Sequence, residues 1–237
     1  MKYMGSKARL AKKLLEVMLP YRADRPWVEP FVGGGNMIEN VTGRRLGADS
    51  DPNTIKALVA IRDNLALIPV DGSGFSEEDY KRLRQKSRQG TALSPVESFA
   101  GFAYSYGGKW LGGWSRDNTG DRDYIAEAWR NAAKQSPKLQ GVELSVCSYD
   151  EMDIPPNSLI YCDPPYAGAT QYKGDFDHEN FFLWCARMHR QGHLVFVSEY
   201  QAPPEFKCVF ESKICSSLEK NTGSKTGVER LFTLQDS

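Results

Sequence analysis

The tetrapeptide Asp163-Pro164-Pro165-Tyr166 puts a carboxylate, two prolines and a phenol directly after the apolar run Leu159-Ile160-Tyr161-Cys162. Such a run reads as a short buried strand. The residues just past a strand are a common place for chemistry in an open α/β sheet. Proline lacks an N–H and restricts φ, so the Asp163 side chain and the carbonyls of Asp163 and Pro164 project in a set geometry. That geometry suits holding an amino group by its two hydrogens, with Tyr166 stacked on the attached ring. An exocyclic aromatic amine is a weak nucleophile, because its lone pair is delocalised into the ring. Accepting both hydrogens favours a more tetrahedral nitrogen, and a carboxylate stabilises the positive charge that grows on it. The alternative is a plain turn closing a strand, which Pro-Pro provides in many folds.

A second constellation lies upstream. Trp27-Val28-Glu29-Pro30-Phe31 reads as a strand, Val32-Gly33-Gly34-Gly35 as a turn, and Asn36 to about Val41 as a helix. Strand, glycine turn and helix open a nucleotide-binding βαβ unit. Glycines admit a ligand close to the backbone, and a helix start offers free N–H groups. The next strand, Arg45-Leu46-Gly47-Ala48, ends at Asp49, where an acidic residue can bind ribose hydroxyls. The spacing misses the Gly-x-Gly-x-x-Gly dinucleotide pattern, since Ile38 stands at the third glycine position. An ordinary glycine-rich βα turn is the competing reading.

Phe31-Val32-Gly33-Gly34-Gly35 resembles the S-adenosylmethionine motif of amino-methyltransferases, and Asp163-Pro164-Pro165-Tyr166 resembles their catalytic motif. Lys2-Tyr3-Met4-Gly5-Ser6-Lys7 is similar to the opening of Dam-type DNA adenine methyltransferases. The segment from Asn221 to Lys225, with Val228-Glu229-Arg230-Leu231-Phe232, is similar to that family's last hairpin. The order also matches: glycine motif, recognition insert, Asp-Pro-Pro-Tyr motif. The stretch Ser105-Tyr106-Gly107-Gly108-Lys109-Trp110-Leu111-Gly112-Gly113-Trp114 departs from the better-known members and looks more like phage-encoded relatives, so the resemblance does not specify a target sequence.

The resemblance implies an α/β fold: a Rossmann-like, seven-stranded, mostly parallel sheet with helices on both faces and a mainly helical inserted DNA-recognition domain. Residues 1–58 and 142–237 would form the catalytic core and 59–141 the insert. It implies methyl transfer from S-adenosylmethionine to the N6 amine of an adenine flipped out of double-stranded DNA. Asp163, Pro164, Pro165 and Tyr166 would be catalytic. Tyr3, Lys7, Glu29, Phe31, Gly33, Gly35, Asp49 and Asp163 would hold the cofactor, with Ser148 or Tyr149 flanking its adenine. Lys109, Trp110, Arg116 and Asn118, with Trp114 beside them, are candidate DNA contacts. Arg and Asn can read guanine and adenine edges, and Gly107, Gly108, Gly112 and Gly113 would let the loop fit a groove. A surface loop with buried tryptophans is the alternative. Cytosine-N4 or RNA-adenine methylation, or a non-catalytic DNA-binding relative, are the competing functions.

Composition narrows the field. The chain has 237 residues and a formal net charge of zero, which argues against broad non-specific nucleic-acid binding but not against a local basic cleft. No apolar run approaches the roughly 18 residues of a membrane helix, and no signal-peptide core is present. A cytoplasmic protein is therefore expected; the resemblance implies a bacterial or phage-infected bacterial cell, and a monomer in solution is expected. Cys147, Cys162, Cys185, Cys208 and Cys215 read as reduced core residues, and they form no zinc pattern with His178, His189 and His193.

The elements that must position these groups follow from periodicity. Ser6 is a candidate N-cap for a helix carrying Leu10, Leu14, Val17 and Met18, ended by Pro20. Helical patterns recur near 76–88, 95–104 and 122–134. In the first of them Glu77-Glu78-Asp79 precedes Lys81, Arg82, Arg84, Lys86 and Arg88, which suits either a solvated helix or phosphate contact. Strand-like runs return at Val142–Cys147, Leu159–Cys162, Leu194–Ser198, Cys208–Ile214 and Arg230–Leu234, making seven with the first two.

Overall fold

The computed structural model describes residues 1–117, 119–166, 176–215 and 226–234. Asn118, the loop after Tyr166 and the segment from Asn221 to Lys225 lie outside the described residues. The seven strands are β1 (Trp27–Glu29), β2 (Arg45–Asp49), β3 (Val142–Val146), β4 (Leu159–Cys162), β5 (Leu194–Glu199), β6 (Phe206–Cys215) and β7 (Thr226–Leu234). They form one sheet in the order β3-β2-β1-β4-β5-β7-β6. The first five are parallel, β7 runs antiparallel to β5, and β6 runs antiparallel to β7. The chain proceeds from β1 outward to β3, then returns to place β4 on the other side of β1. The strand order therefore reverses between β1 and β4, and ligands of open α/β sheets bind at the carboxyl ends beside such a reversal.

Strand side chains alternate between two apolar layers. Trp27, Tyr161, Phe196 and Leu231 enter one layer, while Val28, Ile160, Cys162, Val195, Val197 and Phe232 enter the other. The first layer is closed by α1 (Ala11–Met18), α2 (Pro52–Asp63), α4 (Pro95–Ala103) and α5 (Tyr124–Leu139). The second is closed by α6 (His178–Arg190), whose Phe181, Trp184, Cys185 and Met188 recur at i, i+3, i+4 and i+7. The remaining helix, α3 (Glu77–Arg88), packs on α4 through Tyr80 and Leu83. Capping boxes start both: Ser76 with Asp79, and Ser94 with Glu97.

The structure departs locally from the expected elements. After the glycine turn there is no α-helix, only a 3-10 turn at Ile38–Asn40. The chain turns again at Gly43, whose φ is +75°, which leaves too few residues to propagate an α-helix. Ser6 does not cap α1, which begins after Leu10 without a side-chain cap. The Ser6 hydroxyl accepts from the Ala8 N–H at 3.2 Å, in the turn before α1, and from the Asn36 amide at 2.8 Å. The expected boundary at residue 59 falls inside α2, and residues on both sides of it, Leu58 and Ile61, share one buried cluster with Phe99, Ala128 and Leu139. Two cysteines are not core residues: Cys147 is half-buried and Cys208 exposed, both as free thiols.

Candidate active site

The carboxyl ends of β1 and β4 bring Glu29 and Asp163 together at the reversal point. A lysine from the N-terminal segment completes the group. Leu10 and Ala11 both donate backbone N–H bonds to the Lys7 carbonyl at 2.8 Å, so the turn entering α1 anchors this residue. The Lys7 ammonium lies 2.8 Å from Asp163 Oδ1 and 3.1 Å from Glu229 Oε1. It also sits over the Tyr166 ring, 4.5 Å from the centroid. The Tyr166 hydroxyl donates to Glu229 Oε1, and Tyr200 meets the Tyr166 ring edge-on at 4.7 Å. One face of Tyr166 is thus occupied by an ammonium, and a base can stack only on the other.

Exposure separates the two carboxylates. The Glu229 side chain keeps 4% of its surface and the Asp163 side chain 20%, so Asp163 is the one a ligand can reach. Burial raises the Asp163 pKa; the Lys7 charge and its hydrogen bond work against that, and the Glu229 charge adds to it. Burial pulls Lys7 down, but Asp163 and Glu229 more than offset it and leave its pKa above that of an ordinary lysine. Burial, then the two carboxylates, push the Tyr166 phenol well up, so it stays protonated and donates.

Glu229 was not among the residues singled out for a role. A signal for it exists in the alternation of β7. That signal is weak, because Phe232 on the opposite parity is buried as well as Leu231 and Thr233, so the sheet buries both faces of β7.

The glycine turn is closed by the chain itself. A Cβ on Gly34 would stand 2.7 Å from the Asn36 amide and 2.8 Å from Tyr3 Cβ, and the Tyr3 ring lies 3.0 Å from the corresponding point on Gly33. The Gln135 amide donates to the Gly34 carbonyl at 3.0 Å. Gly33 and Gly35 have φ of +47° and +69°, which the turn requires. Asp49 is tied to the same turn: its Oδ2 accepts from Gly33 N at 3.2 Å and its Oδ1 from Asp51 N at 3.0 Å. Burial raises its pKa to about 6, against the pull of those two backbone bonds. Glu29 is more enclosed still. Burial pushes its carboxyl up to about 8, although the Trp27 indole donates to it at 2.6 Å. Its carboxyl faces that indole inside the protein, where a contact with the cofactor was expected.

Phe31 stacks on Tyr149 at 5.5 Å, with Phe176 and Phe181 at its edges, so both expected cofactor neighbours belong to one aromatic cluster over α6. Ser148 donates to the carboxylate of Asp150. The residues present fit a nucleoside-bearing cofactor at two points, the Asp49 carboxylate at the end of β2 and the Phe31–Tyr149 pair beside it.

The expected DNA contacts separate. Lys109 is exposed to solvent. Arg116 is exposed and pairs with Glu77 of α3. Trp110 is turned inward: its ring lies 4.7 Å from Phe102 and 2.5 Å from where a Gly101 Cβ would stand. Trp114 packs among Phe75, Tyr80 and Tyr104. Gly108, with φ +72°, admits the backbone of Lys2 and Tyr3, since its Cβ would meet Tyr3 N at 2.8 Å. It serves a contact within the protein, where a fit to a DNA groove was expected. In α3, Lys81 pairs with Glu78 and Arg82 with Asp79 three residues away, the pattern of a solvated helix, while Lys86 pairs with Glu97 of α4.

No family model matches the chain, and no curated protein matches it. Among solved structures, the proposed methyltransferase yhhF of Escherichia coli is similar at a TM-score of 0.42 and 9% identity, over 97% of this chain and 88% of that one. A proposed methylase of Haemophilus influenzae is similar at 0.39 and 10%, over 98% of this chain and 100% of that one. A third, SMU.472, a proposed methyltransferase complexed with SAH, is similar at 0.37 and 10%, and this chain spans 53% of its length. At these scores the likenesses carry no argument about activity.

Proposed function

We propose that the chain is a methyltransferase that uses S-adenosylmethionine and methylates the N6 amine of adenine in double-stranded DNA. The observation that carries this reading is Asp163: a partly open carboxylate, first past β4 at the strand-order reversal, fixed by Lys7 and followed by Pro-Pro-Tyr. The cofactor supplies an electrophilic methyl group on a sulfonium. Asp163 and the carbonyl after it accept the amine hydrogens and aim the nitrogen lone pair, and the free face of Tyr166 stacks the ring. With the cofactor bound, nitrogen would gain a bond to the methyl carbon as the carbon–sulfur electron pair left with sulfur, and the methylated amine would release its extra proton to solvent. Asp163 and Glu229 against Lys7 leave an excess negative charge beside that nitrogen, which stabilises its positive charge in the transition state. Asp49 would hold ribose hydroxyls, and Tyr3 covers the glycine turn near them. The choice of DNA adenine rests on the resemblance of residues 2–7 and the motif order to Dam-type enzymes.

The test is transfer of labelled methyl from S-adenosylmethionine to mixed DNA and RNA, followed by nucleoside analysis. N6-methyladenine in DNA is expected. N4-methylcytosine, or label in RNA alone, would replace the substrate and keep the reaction. Asp163→Ala should lower turnover by about 10²-fold or more while the fold persists; near-normal turnover would remove Asp163 from catalysis.

A further inference from the structure

We propose that Glu229 is the positioning residue of this site, holding the Lys7 ammonium and the Tyr166 hydroxyl so that Asp163 alone faces the substrate amine. The inference rests on the reading of Asp163 above, and three observations bear on it. Glu229 touches both neighbours of Asp163 at once: Lys7 by an ion pair of 3.1 Å and Tyr166 by a hydrogen bond. It is nearly closed to solvent whereas Asp163 is not, so it acts from behind. It comes from β7, whose register against β5 pairs Arg230 with Glu199, and this places it at the same end of the sheet as β4.

Among the described residues, Lys7 without Glu229 would have only Asp163 as a carboxylate partner and would bind it more tightly. The Tyr166 ring would keep its ammonium contact but lose the anchor that sets its rotation. Geometry around a reacting group is most exact when its supporting shell is locked. Glu229 also contributes negative charge that raises the Asp163 pKa. Among the described residues, the other titratable groups that interact with Asp163 are Lys7, Tyr166, Tyr161 and Cys162 from β4 and Glu29 from β1, with Tyr200 behind Tyr166.

The test uses Glu229→Gln, which keeps shape and removes charge, and Glu229→Asp, which keeps charge. In the protein without cofactor, the Asp163 carboxyl carbon is followed by ¹³C NMR against pH and assigned with Asp163→Asn. The expected result is a midpoint moved to lower pH in Glu229→Gln and close to wild type in Glu229→Asp. In the methylation assay, Glu229→Gln should lose about 10- to 100-fold in kcat, the scale on which loss of an outer-shell partner is felt. Its cofactor Kd should change less than twofold. An Asp163 midpoint unmoved in Glu229→Gln would overturn the proposal. If Glu229→Gln does not fold, Tyr166→Phe decides: removing the hydroxyl that Glu229 holds should lower kcat with little change in cofactor Kd, and an unchanged kcat would overturn the proposal. Wild-type protein inactive on every nucleic acid would overturn the proposed function, while the titration still decides the role of Glu229.

Discussion

Glu29 carries a pH dependence that its position at the end of β1 makes specific. In the fold its carboxyl stays protonated up to about 8, mainly through burial, whereas its ordinary value is 4.5. Between those values the folded protein holds a proton that the unfolded chain has released. The resulting stability is present in full below about pH 4.5, declines by about 1.4 kcal/mol per pH unit, and is gone above about pH 8. Asp49, raised to about 6, adds a smaller change of the same sign over a lower window. Urea unfolding at pH 5.5 and 8.5 checks this. Wild type should lose stability between the two, and Glu29→Gln, whose amide oxygen still accepts from the Trp27 indole, should lose much less. Equal losses would mean that Glu29 is ionised in the fold.

At the level of elements, the loop between α4 and α5 is built against the N-terminal segment. The Met4 amide donates to the Gly108 carbonyl at 3.2 Å, and the Tyr106 amide to Gly113 at 2.7 Å, so the loop is pinned at both sides of its turn. The atoms nearest a Gly108 Cβ are backbone of Lys2 and Tyr3, which cannot rotate aside. Gly108→Ala should therefore cost about 1–3 kcal/mol, from left-handed strain and backbone displacement together. By moving Tyr3 off Gly33 it should also weaken cofactor binding. Gly113 has open space around its Cβ position and no positive φ, so Gly113→Ala should change stability by no more than about 0.5 kcal/mol. Thermal unfolding of the pair checks this, and equal effects would show that the loop does not clamp the N-terminal segment.

Across the whole molecule, the helical layer from α2 to α5 and the sheet share one apolar cluster, so recognition and chemistry would be rigidly joined. If the chain acts on DNA as proposed, Lys109 and Arg116 are the expected contacts from this layer. Lys109→Ala and Arg116→Ala should each weaken DNA binding and reduce the salt slope by about one. Arg116 must exchange its Glu77 partner for phosphate or base, which lessens its net contribution. Trp110→Ala should instead destabilise the fold, by about 1–3 kcal/mol, because it removes a half-buried ring packed on Phe102 and Gly101. Fluorescence anisotropy at several salt concentrations tests the first two and denaturation the third. If both cation variants bind DNA as wild type does at every salt concentration, the layer does not contact DNA.

What could be read from residue order alone was periodic. Apolar runs located all seven strands within a few residues at their ends, and helical spacing located α1, α3, α4 and α5, but α6 was not anticipated and the helix expected after the glycine turn is a 3-10 turn. Asp163 and Asp49 could be placed at strand ends because each directly follows its run. Partnership was a tertiary matter. Nothing local indicates that Lys7 meets Asp163 and Glu229, that Asp49 accepts the Gly33 amide, or that Gly108 makes room for Tyr3. Trp110 and Arg116 look alike in a glycine-rich loop, yet one turns into Phe102 and the other stays outside on Glu77. Local pattern reports which side of an element is buried, because burial repeats with the period of the backbone. Which group waits on that side depends on strand order and crossovers, and these bring together residues far apart in the chain.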